Sequence, residues 1–216
     1  MLANTPQLAA LIDLFKTGTK QEYSKGEFII RPAGTLPGVY YIEKGLVKAY
    51  DITKYGEENL LIIRHDGELI GLTWAIAGRE REIIYTTLAP TTLWLLPKDK
   101  FVEALHTSPE AAVQVVGILA DMFRLHGERI MTLEYRTVRE RLASFLLGMA
   151  DRFGVKTPKG IKIDVPLRHQ DIASSISATR ETTSRTLSEL ERKNILVSEQ
   201  SRITLCDIDA LEDFLE

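Results

Sequence analysis

The sequence predicts an α+β chain in three blocks: a glycine-punctuated β-roll, one long helix, and two shorter helices closed by a hairpin. Three observations carry this. Between Gly26 and about Pro97, short β-branched and aromatic runs are separated by Gly34, Gly38, Gly45, Gly56, Gly67, Gly71 and Gly78, the rhythm of an all-β roll or barrel. From Ser108 to about Tyr135 the apolar residues keep a heptad spacing, which only a long helix presents as one stripe. Finally, VPLRHQDIASSISATRETTSRTLSELERKNIL reads as a short helix, a tight turn and a longer helix.

Taken in order, residues 4 to 16 read as an amphipathic helix with Leu8, Leu11, Ile12 and Phe15 on one side. The runs EFII, GVYYI, GLVKAYDI, NLLIIR, REIIYTT and TLWLLP are the expected strands of the roll. Helix returns after Lys98. On the long helix Val116, Leu119, Phe123, His126, Ile130 and Leu133 are spaced 3, 4, 3, 4, 3. A narrow stripe of this length pairs with a copy of itself more readily than with its own β domain, so these six residues are the expected dimer seam. Val138 to Phe153 forms another helix, GVKTPKG a loop with two lysines at its tip, and ILVS with RITL a small hairpin. The expected domains are 1–107 for the roll, 108–136 for the dimerisation helix and 137–216 for a winged helix-turn-helix.

Bulk properties narrow the function. The chain has 216 residues, enough for a real hydrophobic core. No apolar run reaches the ~20 residues that span a bilayer, and the N-terminus lacks the features of a signal peptide, so a cytoplasmic protein without membrane contact is expected. A single cysteine, Cys206, excludes an internal disulfide and an iron–sulfur cluster. Net charge is −3, so overall basicity gives no argument for nucleic acid, although Arg152 to Arg185 holds seven basic residues against three acidic ones.

The second helix of the C-terminal pair carries the sharpest signal. At 100° per residue Arg180, Glu181, Ser184, Arg185 and Ser188 fall within an arc of about 140°, with Leu187 and Leu190 opposite, helped by Thr183 and Thr186. Thr179 is the expected N-cap. Arginine donates two hydrogen bonds to guanine O6 and N7, and glutamate accepts from cytosine N4. Arg180, Glu181, Ser184 and Arg185 are therefore the expected base readers. His169, Gln170, Thr179 and Thr182 are the expected phosphate donors. The plain alternative is a solvated helix with an Arg/Glu pair; the paired helices, the first-turn Arg-Glu and the following hairpin tip the balance toward double-stranded DNA.

With these motifs in hand, the sequence resembles the cyclic-AMP receptor protein/FNR superfamily of bacterial transcription regulators over almost its whole length. Arg180, Glu181 and Arg185 match the family's Arg-Glu-x-x-x-Arg pattern, and Glu181, Ser184 and Arg185 the Glu-x-x-Ser-Arg variant of its FNR branch. GVYYIEKGLVKAY is similar to the Tyr-Tyr-Ile-x-x-Gly-x-Val signature, and DGELIG to the turn before the ligand cassette. The resemblance implies a cyclic-nucleotide-binding-like double-stranded jelly roll, a homodimer, and a pseudo-palindromic site with TGA or GTGA half-sites. An activator that meets RNA polymerase is expected, with GVKTPKG one candidate contact and a plain solvated loop the other reading; a repressor is the alternative, because the position of the site relative to the promoter decides the sign. Ser177 stands where many helix-turn-helix turns carry glycine.

The effector pocket departs from the family pattern. Its stretch is GLTWAIAGREREIIYTT, with Gly71, Leu72, Thr73, Arg81 and Glu82, completed by His126 and Gly127 on the long helix. Leu72 replaces the glutamate that holds a ribose. Glu82 replaces the serine beside the phosphate arginine, to which Arg81 corresponds, and a carboxylate there repels a bound phosphate. Cyclic AMP is not expected. Haem lacks a convincing axial ligand among His65, His106 and His126, and no cofactor is expected. Arg64, Arg79 and Arg81 form a candidate anion cluster, ion pairs with Glu68, Glu80 and Glu82 being the alternative. An unidentified small effector, or none, both remain open. The chief alternative function is a small-ligand module whose DNA binding depends strictly on its effector. An enzymatic barrel would need clustered histidines, and the roll holds only His65. No P-loop, dinucleotide motif or Ser-His-Asp signature is present. The chain is not expected to be an enzyme.

Overall fold

A computed structural model of the chain describes residues 8–31, 36–78 and 82–215. Two compact units are formed. One draws on residues up to Asp51 together with Leu61–Arg124, the other on Ile52–Leu60 and the chain from Leu125 onward.

The chain begins with α1 (Ala9–Lys16), followed by β1 (Thr19–Tyr23), β2 (Phe28–Ile30), β3 (Gly38–Lys44), β4 (Val47–Ile52), β5 (Glu58–Arg64) and β6 (Leu69–Ile70). Then come α2 (Leu72–Ala77), β7 (Ile84–Thr87), β8 (Thr91–Pro97) and α3 (Lys98–Thr107). Two four-stranded sheets, ordered β1-β8-β3-β6 and β2-β7-β4-β5, make the roll. Period-two alternation decides which residues meet between them. Tyr40, Ile42, Ile70 and Leu93 from one sheet share a buried cluster with Ile30, Val47, Ala49 and Tyr85 from the other. The intervening Val39, with Leu69 and Leu96, packs instead with Leu11, Phe15, Leu72 and Phe101 from the helices. The β3–β4 turn needs Gly45: its φ is +126°, and a Cβ there would come within 2.3 Å of Thr91 Oγ1.

The helix expected over residues 4 to 16 starts at Ala9 among the described residues. β1, TKQEY, was absent from the expected strands. It lies at a sheet edge with polar, mostly exposed residues, so no apolar alternation marks it.

α4 (Pro109–Tyr135) is one continuous helix of 27 residues. Only Ala111 and Val115 are buried on it. α5 (Val138–Phe153) follows, with a reciprocal cap at its start: the Glu140 amide donates to Thr137 Oγ1 at 3.4 Å, and the Thr137 amide to the Glu140 carboxylate at 2.6 Å. These bonds hold the Glu140 carboxyl below its usual range.

GVKTPKG is not a loop. It forms β9 (Gly154–Thr157) and β10 (Gly160–Ile163), an antiparallel hairpin turning at Pro158 and Lys159. Beyond α6 (His169–Ser175) and α7 (Arg180–Arg192) come β11 (Leu196–Glu199), β12 (Arg202–Leu205) and α8 (Asp209–Glu212). The two hairpins join in one sheet ordered β11-β12-β10-β9. β10 thus lends the wing a partner along β12, with Ile161 opposite Leu205 and Ile163 opposite Ile203. Lysine, proline and glycine at the tip of β9–β10 hid the strand pattern from a reading of the sequence.

Candidate nucleic-acid interface

α6 and α7 pack through Ile172, Ala173 and Ile176 on one side and Thr183, Leu187 and Leu190 on the other, all buried. Between them the chain turns at Ser177, whose φ is +50°. This is the left-handed region, costly for a side chain with a Cβ. The residue that departs from the usual glycine therefore sits where glycine would relieve strain. The turn closes with the Ala178 amide donating to the Ala173 carbonyl at 3.0 Å.

Thr179 caps α7 by accepting the Thr182 amide at 3.1 Å. Its hydroxyl oxygen also lies 3.0 Å from Thr182 Oγ1. Thr179 and Thr182 thus share one hydroxyl–hydroxyl hydrogen bond at the start of α7. The amides of Arg180 and Glu181, in the first turn, have no acceptor within the helix. At the other end, Asn194 (φ +59°) closes α7 as a Schellman motif, with the Ile195 amide on the Leu190 carbonyl at 3.0 Å.

The polar arc stands as the periodicity required. Arg180, Glu181 and Arg185 are exposed, Ser184 half-buried. Among the described residues neither arginine has a carboxylate within ion-pairing distance, and Glu181 does not pair with Arg185. Three other basic residues of this region are occupied. Lys162 meets Asp164 at 3.2 Å and Lys159 meets Glu199 at 3.4 Å. Arg168 is held in a fork by buried Asp171, its Nε and one terminal nitrogen each 2.9 Å from a carboxylate oxygen. The seven-to-three basic excess thus condenses to few unpaired cations, with Arg180 and Arg185 on the arc.

Leu167, Arg168, His169, Gln170 and Arg180 line a cleft of about 500 Å³ together with Ser198, Ser201 and Ile203 of the wing. The wing's own turn, Gln200–Ser201, has φ of +51° and +61°, the two-residue geometry that matches strand twist. The Leu167 amide donates to the Ser201 carbonyl at 2.7 Å, pinning this tip beside the start of α6. His169 Nδ1 lies 2.8 Å from Ser184 Oγ, a link between helices that lies 15 positions apart in the chain. No sequence pattern announces such a pair.

The expected effector residues lie as follows. Gly71 caps α2 with φ +85°, and a Cβ on it would stand 3.0 Å from the Gly38 carbonyl oxygen. Leu72 is 3% exposed and packs within the apolar cluster of the first unit. Thr73 and Glu82 are exposed, as are His126 and Gly127 on α4. Arg79, Glu80 and Arg81 lie outside the described residues. Glu68, buried, meets Arg64 at 3.6 Å and His65 at 3.7 Å. On α4, Val116, Phe123 and Ile130 are 64%, 82% and 61% exposed, so this apolar face is bare in the single chain. Leu119, packing partly against the apolar cluster of the roll, and Leu133 are half-buried. Among the described residues no helix is long and apolar enough to cross a membrane.

Comparisons with known proteins agree with this geometry. Residues 140–214 match the family model of the Crp-like helix-turn-helix domain, and residues 20–108 that of the cyclic nucleotide-binding domain. The chain is 30% identical to the global nitrogen regulator of Synechococcus elongatus, over 98% of each chain. Among solved structures it is similar to a CooA mutant from Carboxydothermus hydrogenoformans, with 25% identity, a TM-score of 0.77 and coverage of 100% of this chain and 98% of that one. FixK2 from Bradyrhizobium japonicum gives 25% identity and a TM-score of 0.74, covering 91% and 96%. With a β-roll, a long helix and a winged helix-turn-helix in matching order, the chain belongs to the CRP/FNR family of DNA-binding transcription regulators.

Proposed function

We propose that the chain acts as a homodimer on a pseudo-palindromic DNA site, each copy laying α7 into one major groove. The observation that carries this is the arc of α7. Arg180 and Arg185 are exposed and unpaired among the described residues, while Thr183, Leu187 and Leu190 on the opposite face are buried. A surface helix stabilised for its own sake would pair its charges at i and i+4. Here Glu181 and Arg185 stand four apart and leave each other alone. Arg185 then donates to guanine O6 and N7, and Glu181 accepts from cytosine N4, which suits the G·C pair of a TGA or GTGA half-site. His169, Gln170, Thr182 and the first-turn amides of α7 take phosphates and fix the register.

The second copy is read from α4. Val116, Phe123 and Ile130 form an exposed apolar stripe, with Leu119, His126 and Leu133 completing its heptad spacing. Dimeric helix-turn-helix proteins place their reading helices roughly 34–36 Å apart, one turn of B-DNA, and that is the spacing expected of the half-sites. RNA polymerase is the expected protein partner and the cytoplasm the expected compartment; where the site lies relative to a promoter decides between activation and repression.

The roll does not act as a cyclic-AMP receptor in this reading. Leu72 belongs to the apolar cluster and offers a ribose hydroxyl no acceptor, Glu82 is an exposed carboxylate, and Gly127 has no side chain to meet a base. Haem and iron–sulfur cofactors are likewise left out, the latter because Cys206 is the chain's one cysteine. The test is a titration of the purified chain against duplexes bearing one TGA arm or two inverted arms. Two arms should bind at least a hundredfold more tightly than one. Equal affinity for both would sink the dimeric reading.

A further inference from the structure

The link between His169 and Ser184 has a consequence for which base Ser184 accepts. His169 opens α6 and lines the cleft beside Gln170 and Arg180, while Ser184 stands on the exposed arc of α7. Nδ1 of the ring is 2.8 Å from Ser184 Oγ. Nε2 has no protein partner among the described residues and is free for DNA.

A phosphate oxygen only accepts hydrogen bonds, so Nε2 must carry a proton to hold one. When that is the ring's one proton, Nδ1 is an acceptor. The Ser184 hydroxyl then donates to Nδ1, and its proton is spent. Towards the groove only its lone pairs remain. A serine in this state accepts from an exocyclic amine, adenine N6 or cytosine N4, and finds no donor on guanine O6 or thymine O4. A serine without such a partner rotates its hydroxyl and serves either kind of base.

We propose that His169 is a specificity-determining residue: bound to a phosphate through Nε2, it fixes the Ser184 hydroxyl as an acceptor and so selects an amine-bearing base. The proposal rests on the reading of α7 given above. It differs from a plain phosphate contact because His169 acts on sequence preference through Ser184.

The experiment measures binding of the full chain to duplexes varied at every base pair, at one fixed salt concentration. The proteins are the wild type, His169→Ala, Ser184→Ala, the double variant and Arg185→Ala. The wild type should prefer adenine or cytosine at one position per half-site. His169→Ala should weaken that preference on the order of fivefold, the worth of one net hydrogen bond, with other positions unchanged. In the Ser184→Ala background the same change should leave base preference unaltered. His169→Gln, which keeps bulk at this exposed site, should behave as His169→Ala and guards against a folding defect. A uniform loss on all sequences with a shallower salt dependence would overturn the proposal, leaving His169 a phosphate contact only. A wild-type preference for guanine or thymine at that position would overturn it too. Arg185→Ala separates the two levels. If it shifts base preference while His169→Ala does not, only this inference falls; if neither does, the reading of α7 falls with it.

Discussion

α4 and α7 are both amphipathic helices, and they leave opposite faces bare. On α7 the apolar side is satisfied: Thr183, Leu187 and Leu190 are buried, and what faces outward is a set of donors and acceptors. On α4 the burial is confined to Ala111 and Val115, and Val116, Phe123 and Ile130 face outward. A bare face of unpaired arginines asks for an anion with a hydrogen-bonding pattern. A bare apolar stripe asks for another apolar stripe, because burying it is the only way to recover its hydration cost. One chain thus carries two different bare faces, one suited to DNA and the other, in the proposed reading, to a second copy of itself.

The largest expected effect breaks α4. Glutamate at Phe123 and Ile130 together should leave a folded monomer, since neither side chain contributes to the buried core, and should weaken binding to a palindrome by on the order of a hundredfold or more. Sedimentation checks the first part and titration the second. A variant that remains dimeric would show that the seam lies elsewhere.

Breaking α7 should look different. Arg180→Ala or Arg185→Ala should cost about 1–3 kcal/mol on the cognate site while leaving the dimer intact and non-specific binding less affected. A loss of equal size on every sequence would reduce these arginines to phosphate contacts and dissolve the contrast between the two faces.

Smaller changes sharpen the claim that the buried side of α7 is only a support. The Thr183 hydroxyl is buried without a hydrogen-bond partner. Thr183→Val should therefore raise stability by about 1 kcal/mol in thermal unfolding, with base preference unchanged. Ser177→Gly should gain a similar or slightly smaller amount, about 1 kcal/mol, by relieving the left-handed turn. A loss of stability from either would mean that these positions are tuned by contacts other than those described.

Much of this was legible before any coordinates. The bounds of α5, the extent of α4, the Thr179 cap and the wing hairpin all follow from 3.6-residue periodicity, capping chemistry and turn residues, which are local. What escaped was set by tertiary context. β1 is an edge strand whose polar residues need no alternation, and β9–β10 is held by pairing with β12, 40 or so residues later in the chain. The side-chain commitments escaped as well. Nothing in the string TRETT says that the Thr179 and Thr182 hydroxyls bond each other, and nothing in RHQD says that Arg168 is tied by Asp171 rather than free for DNA. The packing of Leu72 with Phe15 and Phe101 in one apolar cluster is likewise not visible in the cassette motif.

The central claim is that the bare arc of α7, doubled by the bare stripe of α4, reads a two-fold-related sequence. In-vitro selection from a random duplex library, with the purified chain at fixed, near-physiological salt, tests it most directly. The account predicts enrichment of an inverted repeat with TGA-type arms about one helical turn apart. Enrichment of a motif without two-fold symmetry, or binding by a folded dimer that favours no sequence, would contradict it.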